Sequence, residues 1–205
     1  MKLSVVIPAH NEKDTIAAVI ERVKNVPVEK EIIIVEDFST DGTREVLEKT
    51  AAEDSSLRVV FHDRNKGKGA ALRTGFSYVT GDIVIIQDAD LEYAPEEYPK
   101  IIAPIIDGRA DVVYGSRFLG GPQRVHLFWH YVVNKILTLF SDMLTNINLT
   151  DMETCYKAFK ASLLPRFTIR SNGFGIEPEI TAKLVKLKCK IYEVPISYSG
   201  RDYSE

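Results

Sequence analysis

The chain has few of the residues on which disulfide-rich, thiolate-metal and membrane-spanning proteins depend. Its 205 residues include only two cysteines, Cys155 and Cys189, which lie far apart and belong to no CxxC motif. This spacing disfavours a disulfide framework or a cysteine-ligated metal, and it predicts reduced thiols, as in a cytoplasmic protein. No apolar run approaches the roughly 18 residues that a membrane-spanning helix needs.

The chain also has no excess of basic over acidic residues. The formal net charge is -3 and the isoelectric point is near 5.9, so we expect no nucleic-acid partner. The sequence contains no repeats, low-complexity tracts or linkers. With 45% hydrophobic and 27% charged residues, the composition predicts a single globular domain over residues 1–205 with a sizeable core.

Short apolar runs alternate with helical patterns along the chain. The runs predict strands at residues 2–8, 31–35, 57–61, 83–86, 110–114 and 190–194. Amphipathic helices are expected between them, including helices at 95–107, 124–146 and 177–187. This alternation is typical of βαβ units, and it predicts an α/β fold with a mostly parallel central sheet. In such sheets, ligands bind at the carboxyl ends of the strands.

Acidic residues follow the apolar run at 83–86. Asp88, Asp90 and Glu92 occupy alternate positions directly after it. Three carboxylates on one side of an extended segment supply the oxygen ligands that a hard divalent cation prefers. The alternative for this segment is a solvated turn.

Two other strand ends carry candidate ligand contacts. Asp37 follows the strand at 31–35, where it can accept hydrogen bonds from a ribose or a base. Arg117 follows the strand at 110–114, and its planar guanidinium suits bidentate binding of a phosphate. For Arg117, a surface ion pair with an acid is the alternative.

The chain lacks the GxxxxGK[ST] loop of P-loop nucleotide-binding proteins. Lys68 between Gly67 and Gly69 still allows a backbone and an ammonium group to approach diphosphate or sugar oxygens at a helix N-terminus. A plain turn explains this short pattern equally well.

The helix predicted at 124–146 has a wide apolar stripe. The stripe comprises Trp129, Val132, Val133, Ile136, Leu137, Phe140, Met143 and Leu144, whereas His130, Asn134, Lys135 and Thr138 lie off it. We expect such a stripe to pack into the core. Its aromatic beginning beside Arg124 also suits an amphipathic element on a bilayer surface, which is the alternative.

Seven segments together resemble the inverting family-2 glycosyltransferases, which have the GT-A fold. They cover nearly the whole chain, from Lys2 to about Ser199, and read SVVIPAHNE, VEDFSTDGT, RNKGKGAALRTGF, IIQDADLEY, VVYGSRF, DMETCYKAF and FGIEPEI. Within the family the chain looks most like the polyprenyl-phosphate (dolichyl-phosphate) hexose synthases. GSRF, the aromatic-basic helix, DMETCYKAF and VPISYSGR carry that likeness. The resemblance implies a Rossmann-like three-layer sandwich.

The resemblance also implies donor-site roles. Asp88, Ala89 and Asp90 match the DxD motif that holds Mg²⁺ or Mn²⁺ against a nucleotide diphosphate, with Glu92 in the place of a third metal ligand. The nucleotide-sugar-binding residues it implies are Pro8, Asn11, Glu12, Asp37, Lys68, Asp88, Ala89 and Asp90. The paired acids DDGS of the family appear here as Glu36-Asp37-Phe38-Ser39, which leaves the choice of base open.

The implied reaction moves a hexose from a UDP- or GDP-sugar to a polyprenyl phosphate, by a protein peripheral to the cytoplasmic membrane face. The candidate catalytic residues are Asp88, Asp90, Arg117 and Asp151, and the candidates for the acceptor phosphate are Arg117, Arg124, His130 and Lys135. A donor half at about 1–117 and an acceptor half at about 118–205 are expected, and the natural protein is expected to continue past Glu205 into a membrane segment.

Three alternatives remain at this point. In the first, the acceptor is a hydroxyl of a glycan or glycolipid, which needs a general base such as Asp151 or Glu177. In the second, the chain is a nucleotide-sugar pyrophosphorylase, for which we expect a GxGTR-type loop where this chain has IPAHNE. In the third, the chain binds a nucleotide sugar without turnover.

Overall fold

The fold is built on one mixed sheet, seen in a computed structural model that describes residues 1–120 and 127–200. Its strands are β1 (Leu3–Ala9), β2 (Lys30–Glu36), β3 (Leu57–Phe61), β4 (Ile83–Ile86), β5 (Val112–Ser116), β6 (Lys157–Lys160) and β7 (Ile191–Pro195). They lie in the order β3-β2-β1-β4-β6-β5-β7. All neighbours are parallel except β6, which runs antiparallel to β4 and β5.

Helices cover both faces of this sheet. They are α1 (Ile16–Asn25), α2 (Thr43–Glu53), α3 (Lys68–Phe76), α4 (Tyr98–Ile106), α5 (Phe128–Thr145) and α6 (Ile176–Lys186), with short 3-10 helices at Pro95–Glu97 and Ala161–Arg166. Helices α1, α2 and α4 pack on one face, and α3 and α6 pack on the other. The three-layer α/β architecture with a mostly parallel sheet is therefore confirmed.

The central strands are buried on both faces because successive side chains of a strand point in opposite directions. In β4, Ile85 packs in the cluster that contains Ile20 of α1. Val84 and Ile86 pack in the opposite cluster, which contains Leu72 of α3. Each such side chain contributes about 1.5–3 kcal/mol when fully buried, so the unbroken apolar run sets this strand in the centre of the sheet.

Strand β6 was not predicted from the sequence. Its four residues KAFK include Lys157, which is fully buried. A buried ammonium needs partners, and Lys157 Nζ donates to the carbonyl oxygens of Met152 and Thr154 and pairs with Glu177. Because β6 lies between β4 and β5, strands from both expected halves share one sheet. The division near residue 117 stays a prediction.

Helix α5 is turned the opposite way from the expectation that its apolar stripe enters the core. Its buried residues are Asn134, Thr138 and Ser141. Trp129 is 71% exposed and Leu144 is 86% exposed. The core expectation is wrong because the polar side of the helix has hydrogen-bond partners on the protein body. In the described part of the chain, no helix has both the length and the apolar content needed to cross a membrane.

The sheet brings the ends of separate strands together. Asp37 N donates to Ala9 O at 2.8 Å, which joins the ends of β2 and β1. Gln87 N donates to Val6 O at 3.0 Å, which joins the end of β4 to β1. The chain order of the strands reverses between β1 and β4, and a crevice opens at such a switch point.

Candidate active site

A cleft of about 350 Å³ lies at the carboxyl ends of β1, β2 and β4. It is lined by Pro8, Ala9, His10, Glu12, Asp37, Asn65, Gly67, Lys68, Ala71, Asp88, Ala89, Asp90, Gly173 and Phe174. Every residue predicted to bind the nucleotide sugar lies on this cleft except Asn11. Asn11 lies beside it, where its side-chain oxygen accepts from Thr40 N at 2.9 Å and its own N–H donates to Ser39 Oγ at 3.0 Å.

The acids after β4 are held close together. Burial and the nearby carboxylates of Asp88, Glu92 and Glu12 raise the pKa of Asp90 to about 7. Like charges in a partly buried site disfavour ionisation. A divalent cation removes that penalty, so this part of the cleft has the electrostatic character of a cation site.

The donor atoms present fit Mg²⁺ or Mn²⁺ through two carboxylates. Asp88 and Asp90 supply hard oxygen ligands, and these ions usually take their remaining ligands from phosphates and water. Glu92 Oε2 accepts from Tyr198 Oη at 2.7 Å. Across residues 1–120 and 127–200, no three His, Cys, Asp or Glu side chains are already arranged to hold a metal. The role of Glu92 as a third ligand stays a prediction.

Lys68 begins α3 and points its ammonium at the acids. Its Nζ lies 2.8 Å from Asp88 Oδ1, 2.9 Å from Cys155 Sγ and 3.7 Å from Glu177 Oε1. Burial opposes its charge, but these neighbours raise the pKa of Lys68 well above its ordinary value. The ammonium therefore stays charged and adds a fixed positive group to the cleft.

Gly67 gives the turn before α3 its shape. Its φ is 88°, in the region that favours glycine, and a Cβ there would clash with the Asn172 carbonyl. The glycine at position 67 thus allows the tight turn that places Lys68 at the start of α3.

Asp37 is engaged with the protein itself. Its Oδ1 accepts from Lys66 N at 2.9 Å and lies 2.6 Å from His62 Nδ1, while its Oδ2 accepts from Gly67 N at 2.7 Å. The side chain is buried. Asp37 therefore fixes the loop that precedes Lys68, and its predicted contact with a ribose or base stays a prediction.

Arg117 at the end of β5 forms a two-pronged ion pair with Asp151. Nε lies 2.7 Å from Oδ2 and Nη2 lies 2.8 Å from Oδ1. Asp151 is fully buried and Arg117 is nearly so. Burial opposes the charge of Arg117, but the hydrogen bonds to Asp151 raise its pKa above the ordinary value. The alternative of an exposed surface ion pair does not apply.

Tyr198 joins Arg117 to the acidic loop, a role that was not predicted from the sequence. The Arg117 guanidinium lies 5.0 Å from the centre of the Tyr198 ring, whose hydroxyl donates to Glu92. A single tyrosine side chain therefore spans from the acids after β4 to the arginine after β5. Arg117 is not among the described residues that line the cleft.

Two other residues predicted for the acceptor phosphate, His130 and Lys135, belong to α5. Lys135 Nζ donates to Thr150 O at 2.9 Å and lies 4.4 Å from the centre of the Phe118 ring. His130 is exposed in the first turn of the helix. Arg124 lies outside the described residues. Their contacts with an acceptor stay predictions.

The two carboxylates offered as general bases are both engaged. Asp151 is bound to Arg117, and Asn134 Nδ2 also donates to it at 3.2 Å. Glu177 is buried between Lys157 and Lys68. Each therefore holds a cation in place and is poorly positioned to take a proton from a hydroxyl.

Solved structures share this architecture. Glucosyl-3-phosphoglycerate synthase from Mycobacterium tuberculosis, in complex with Mn²⁺, UDP and glucosyl-3-phosphoglycerate, superimposes with a TM-score of 0.74 at 24% identity, covering 99% of this chain and 74% of that one. The same enzyme with Mg²⁺ and UDP gives a TM-score of 0.74 at 23% identity, over 99% and 73% of the two chains. The class defined by the fold and the crevice is that of the GT-A proteins.

The family follows from the sequence match. The model of glycosyl transferase family 2 matches residues 4–167, and the chain belongs to that family. It is a glycosyltransferase, so the pyrophosphorylase and the binding module without turnover are set aside. The predicted family and fold are both confirmed.

Two relatives are similar over more than three quarters of their own length. Undecaprenyl-phosphate mannosyltransferase of Micrococcus luteus is 29% identical over 214 residues, covering 100% of this chain and 86% of the relative. Polyprenol monophosphomannose synthase of Mycolicibacterium smegmatis is 28% identical over 206 residues, covering 97% and 77%.

Proposed function

We propose that this protein transfers a hexose from a nucleotide-diphosphate sugar to a polyprenyl phosphate, and that the hexose is mannose. The names of the two relatives support the sugar and the acceptor. The observation that carries the proposal is the two-pronged Arg117–Asp151 pair, which Tyr198 connects to the acidic loop and Asn134 connects to α5.

The donor side rests on Asp88, Asp90 and Lys68. We assign Mg²⁺ or Mn²⁺ to the two aspartates, and the structures solved with UDP and Mn²⁺ or Mg²⁺ support this assignment. Such an ion stabilises the negative charge that forms on a departing diphosphate. Lys68, charged and fixed beside Asp88, contributes a second positive group to the same oxygens.

The acceptor side rests on Arg117. A phosphate oxygen is already ionised at neutral pH, so attack on the anomeric carbon needs a cation to position it and no base to deprotonate it. The guanidinium fork suits a phosphate, and Asp151 holds it in one orientation. Arg124, His130 and Lys135 are proposed as further contacts to the acceptor.

We propose a lipid bilayer as the surface on which α5 lies. Phe128, Trp129, Phe140 and Leu144 are exposed together with the other apolar residues of this helix. A helix with a polar side on the protein and a wide aromatic and aliphatic side in the open suits the membrane interface. The acceptor lipid lies in the same interface. Both cysteines are free thiols, which supports the cytoplasmic face.

Transfer to a hydroxyl is the second candidate function, and the environment of Glu153 favours it. This residue is half-buried after Asp151, and burial raises its pKa above the usual value. A raised pKa suits a carboxylate that takes a proton near neutral pH. The two candidates differ in whether Glu153 is needed.

We expect a product assay to distinguish these candidates. GDP-mannose, UDP-glucose and UDP-N-acetylglucosamine are each incubated with Mn²⁺ and a polyprenyl phosphate, and the lipid product is separated. We expect mannosyl lipid, at the same rate in the wild type and Glu153→Gln, because a phosphate acceptor needs no base. A wild type active only on a glycan or glycolipid hydroxyl, and silenced by Glu153→Gln, would contradict the phosphate acceptor.

Trp129 provides a direct test of the bilayer surface because it is the only tryptophan in the sequence. We expect its emission to shift to the blue on addition of anionic phospholipid vesicles, since the exposed ring enters the interface. Phe140→Ser/Leu144→Ser should weaken vesicle binding. Ile106→Ser, at another exposed apolar site, should not. Unchanged emission together with a concentration-dependent dimer would identify a second copy as the partner instead.

A further inference from the structure

The buried side of α5 is a row of polar contacts with the segment that carries Asp151. Asn134 Nδ2 donates to Asp151 Oδ1 at 3.2 Å, and Met152 N donates to Thr138 Oγ1 at 3.2 Å. Lys135 Nζ donates to Thr150 O at 2.9 Å. We refer to these contacts as the polar seam. It attaches the helix directly to the carboxylate that orients Arg117.

We infer that Asn134 is a positioning residue, through which the seating of α5 on a lipid surface sets the orientation of Arg117 toward the acceptor phosphate. This inference rests on the proposed function and deepens it, because it makes the membrane a regulator of the acceptor site. Asn134 acts through Asp151 and is not proposed to contact either substrate.

The geometry supports such coupling at Asp151. Oδ1 accepts from both Arg117 Nη2, at 2.8 Å, and Asn134 Nδ2. Oδ2 accepts from Arg117 Nε at 2.7 Å and from Arg117 N at 3.0 Å. Because two prongs join the guanidinium to one planar carboxylate, a rotation of that carboxylate turns the guanidinium with it. Asn134 is the helix side chain that restrains this rotation.

The packing of α5 explains why a surface would matter. The seam holds the inner side of the helix by hydrogen bonds, whereas the exposed large apolar side chains of the helix range from 42% exposed at Tyr131 to 86% at Leu144. A typical intramolecular hydrogen bond contributes only about 0.5–1.5 kcal/mol net. Burial of the apolar side in lipid adds a larger orienting force and fixes the rotation of the helix about its axis. Asn134 then presents its amide to Asp151 in one position.

The test uses geranyl phosphate, a short water-soluble prenyl phosphate, with and without vesicles that contain no acceptor. In the wild type we expect vesicles to lower the KM for geranyl phosphate by about tenfold, the effect of one hydrogen bond to a charged group. In Asn134→Ala we expect the KM to stay high with vesicles present. The Trp129 emission shift and the Mn²⁺-dependent thermal shift with the donor should match those of the wild type.

Two further variants separate positioning from stability. Ser141 is buried on the same side of α5, and its hydroxyl has no hydrogen-bond partner, so Ser141→Ala should respond to vesicles as the wild type does. Asn134→Ser keeps a donor and should recover part of the response. An Asn134→Ala protein with the full wild-type response would overturn this inference alone. A wild type that transfers no sugar to any prenyl phosphate would overturn the proposed function and this inference with it.

Discussion

Asp90→Asn is expected to lose about a thousandfold in transfer rate while the metal-free protein becomes more stable. The rate falls because one of two proposed metal ligands is lost, and a metal ion contributes several kcal/mol to stabilising the leaving group. Stability rises because burial and the neighbouring acids raise the pKa of Asp90 to about 7, so its charged form is costly in the folded protein.

The gain in stability has a defined pH dependence. The pKa of Asp90 is higher folded than unfolded, so ionisation destabilises the fold progressively from about pH 4 and fully above about pH 7. We expect Asp90→Asn to raise the melting temperature by several degrees at about pH 8, and by less than half as much at about pH 5. The measurement is a thermal melt with EDTA at both pH values.

The matched control for this variant is Asp107→Asn, which removes an exposed carboxylate at the end of α4. It should change neither the transfer rate nor the pH dependence of melting. Mn²⁺-dependent stabilisation by the donor nucleotide should disappear in Asp90→Asn and persist in the control. If Asp90→Asn kept that stabilisation, Asp90 would not be a metal ligand.

Arg117→Met is expected to have the second large effect, and it should act on stability and on function separately. The variant leaves Asp151 charged and buried without its main partner, which costs about 3–5 kcal/mol. It also removes the two-pronged contact proposed for the acceptor phosphate. We therefore expect the KM for the acceptor to rise by about a hundredfold or more, since hydrogen bonds to charged groups contribute about 1.5–3 kcal/mol each.

The double variant Arg117→Met/Asp151→Asn separates the two effects. Asparagine keeps the shape of Asp151 without its charge, and its one carbonyl oxygen can still accept from the backbone N–H of position 117, so most of the stability should return in urea denaturation. The acceptor KM should stay high. Arg109→Met, which removes an exposed arginine paired with Asp107, is the control for a general loss of charge. Wild-type acceptor KM in the double variant would show that Arg117 serves the fold alone.

The sequence was sufficient to predict six of the seven strands and the donor-site residues that line the cleft, with strand β6 as the exception. A short unbroken run of β-branched residues such as 83–86 is typical of a strand buried on both faces, and polar residues at its ends mark where the chain leaves the sheet. Parallel strands place these ends along one edge, which is why Asp37 and Asp88 were predicted at a ligand-binding edge, and both line the cleft. The motifs then identified the family.

The orientation of α5 could be decided only by the tertiary structure. Helical periodicity shows that a helix has two unlike sides, but the same apolar stripe suits a protein core and a lipid surface equally. Asn134 and Thr138 face inward because Asp151 and Met152 offer them hydrogen bonds there. Such partners belong to a segment that follows the helix, and periodicity within the helix carries no information about them.

The partners of the charged residues were likewise decided by the tertiary structure. From the sequence, Asp151 and Glu177 were candidate bases, yet in the fold each neutralises a cation, Arg117 for one and Lys157 for the other. Tyr198 reaches the site from the far end of the chain. Amino-acid type limits what a side chain can do. Burial and a partner distant in sequence select which of those roles it has, because a buried charge is stable only where the fold brings an opposite charge or a dipole to it.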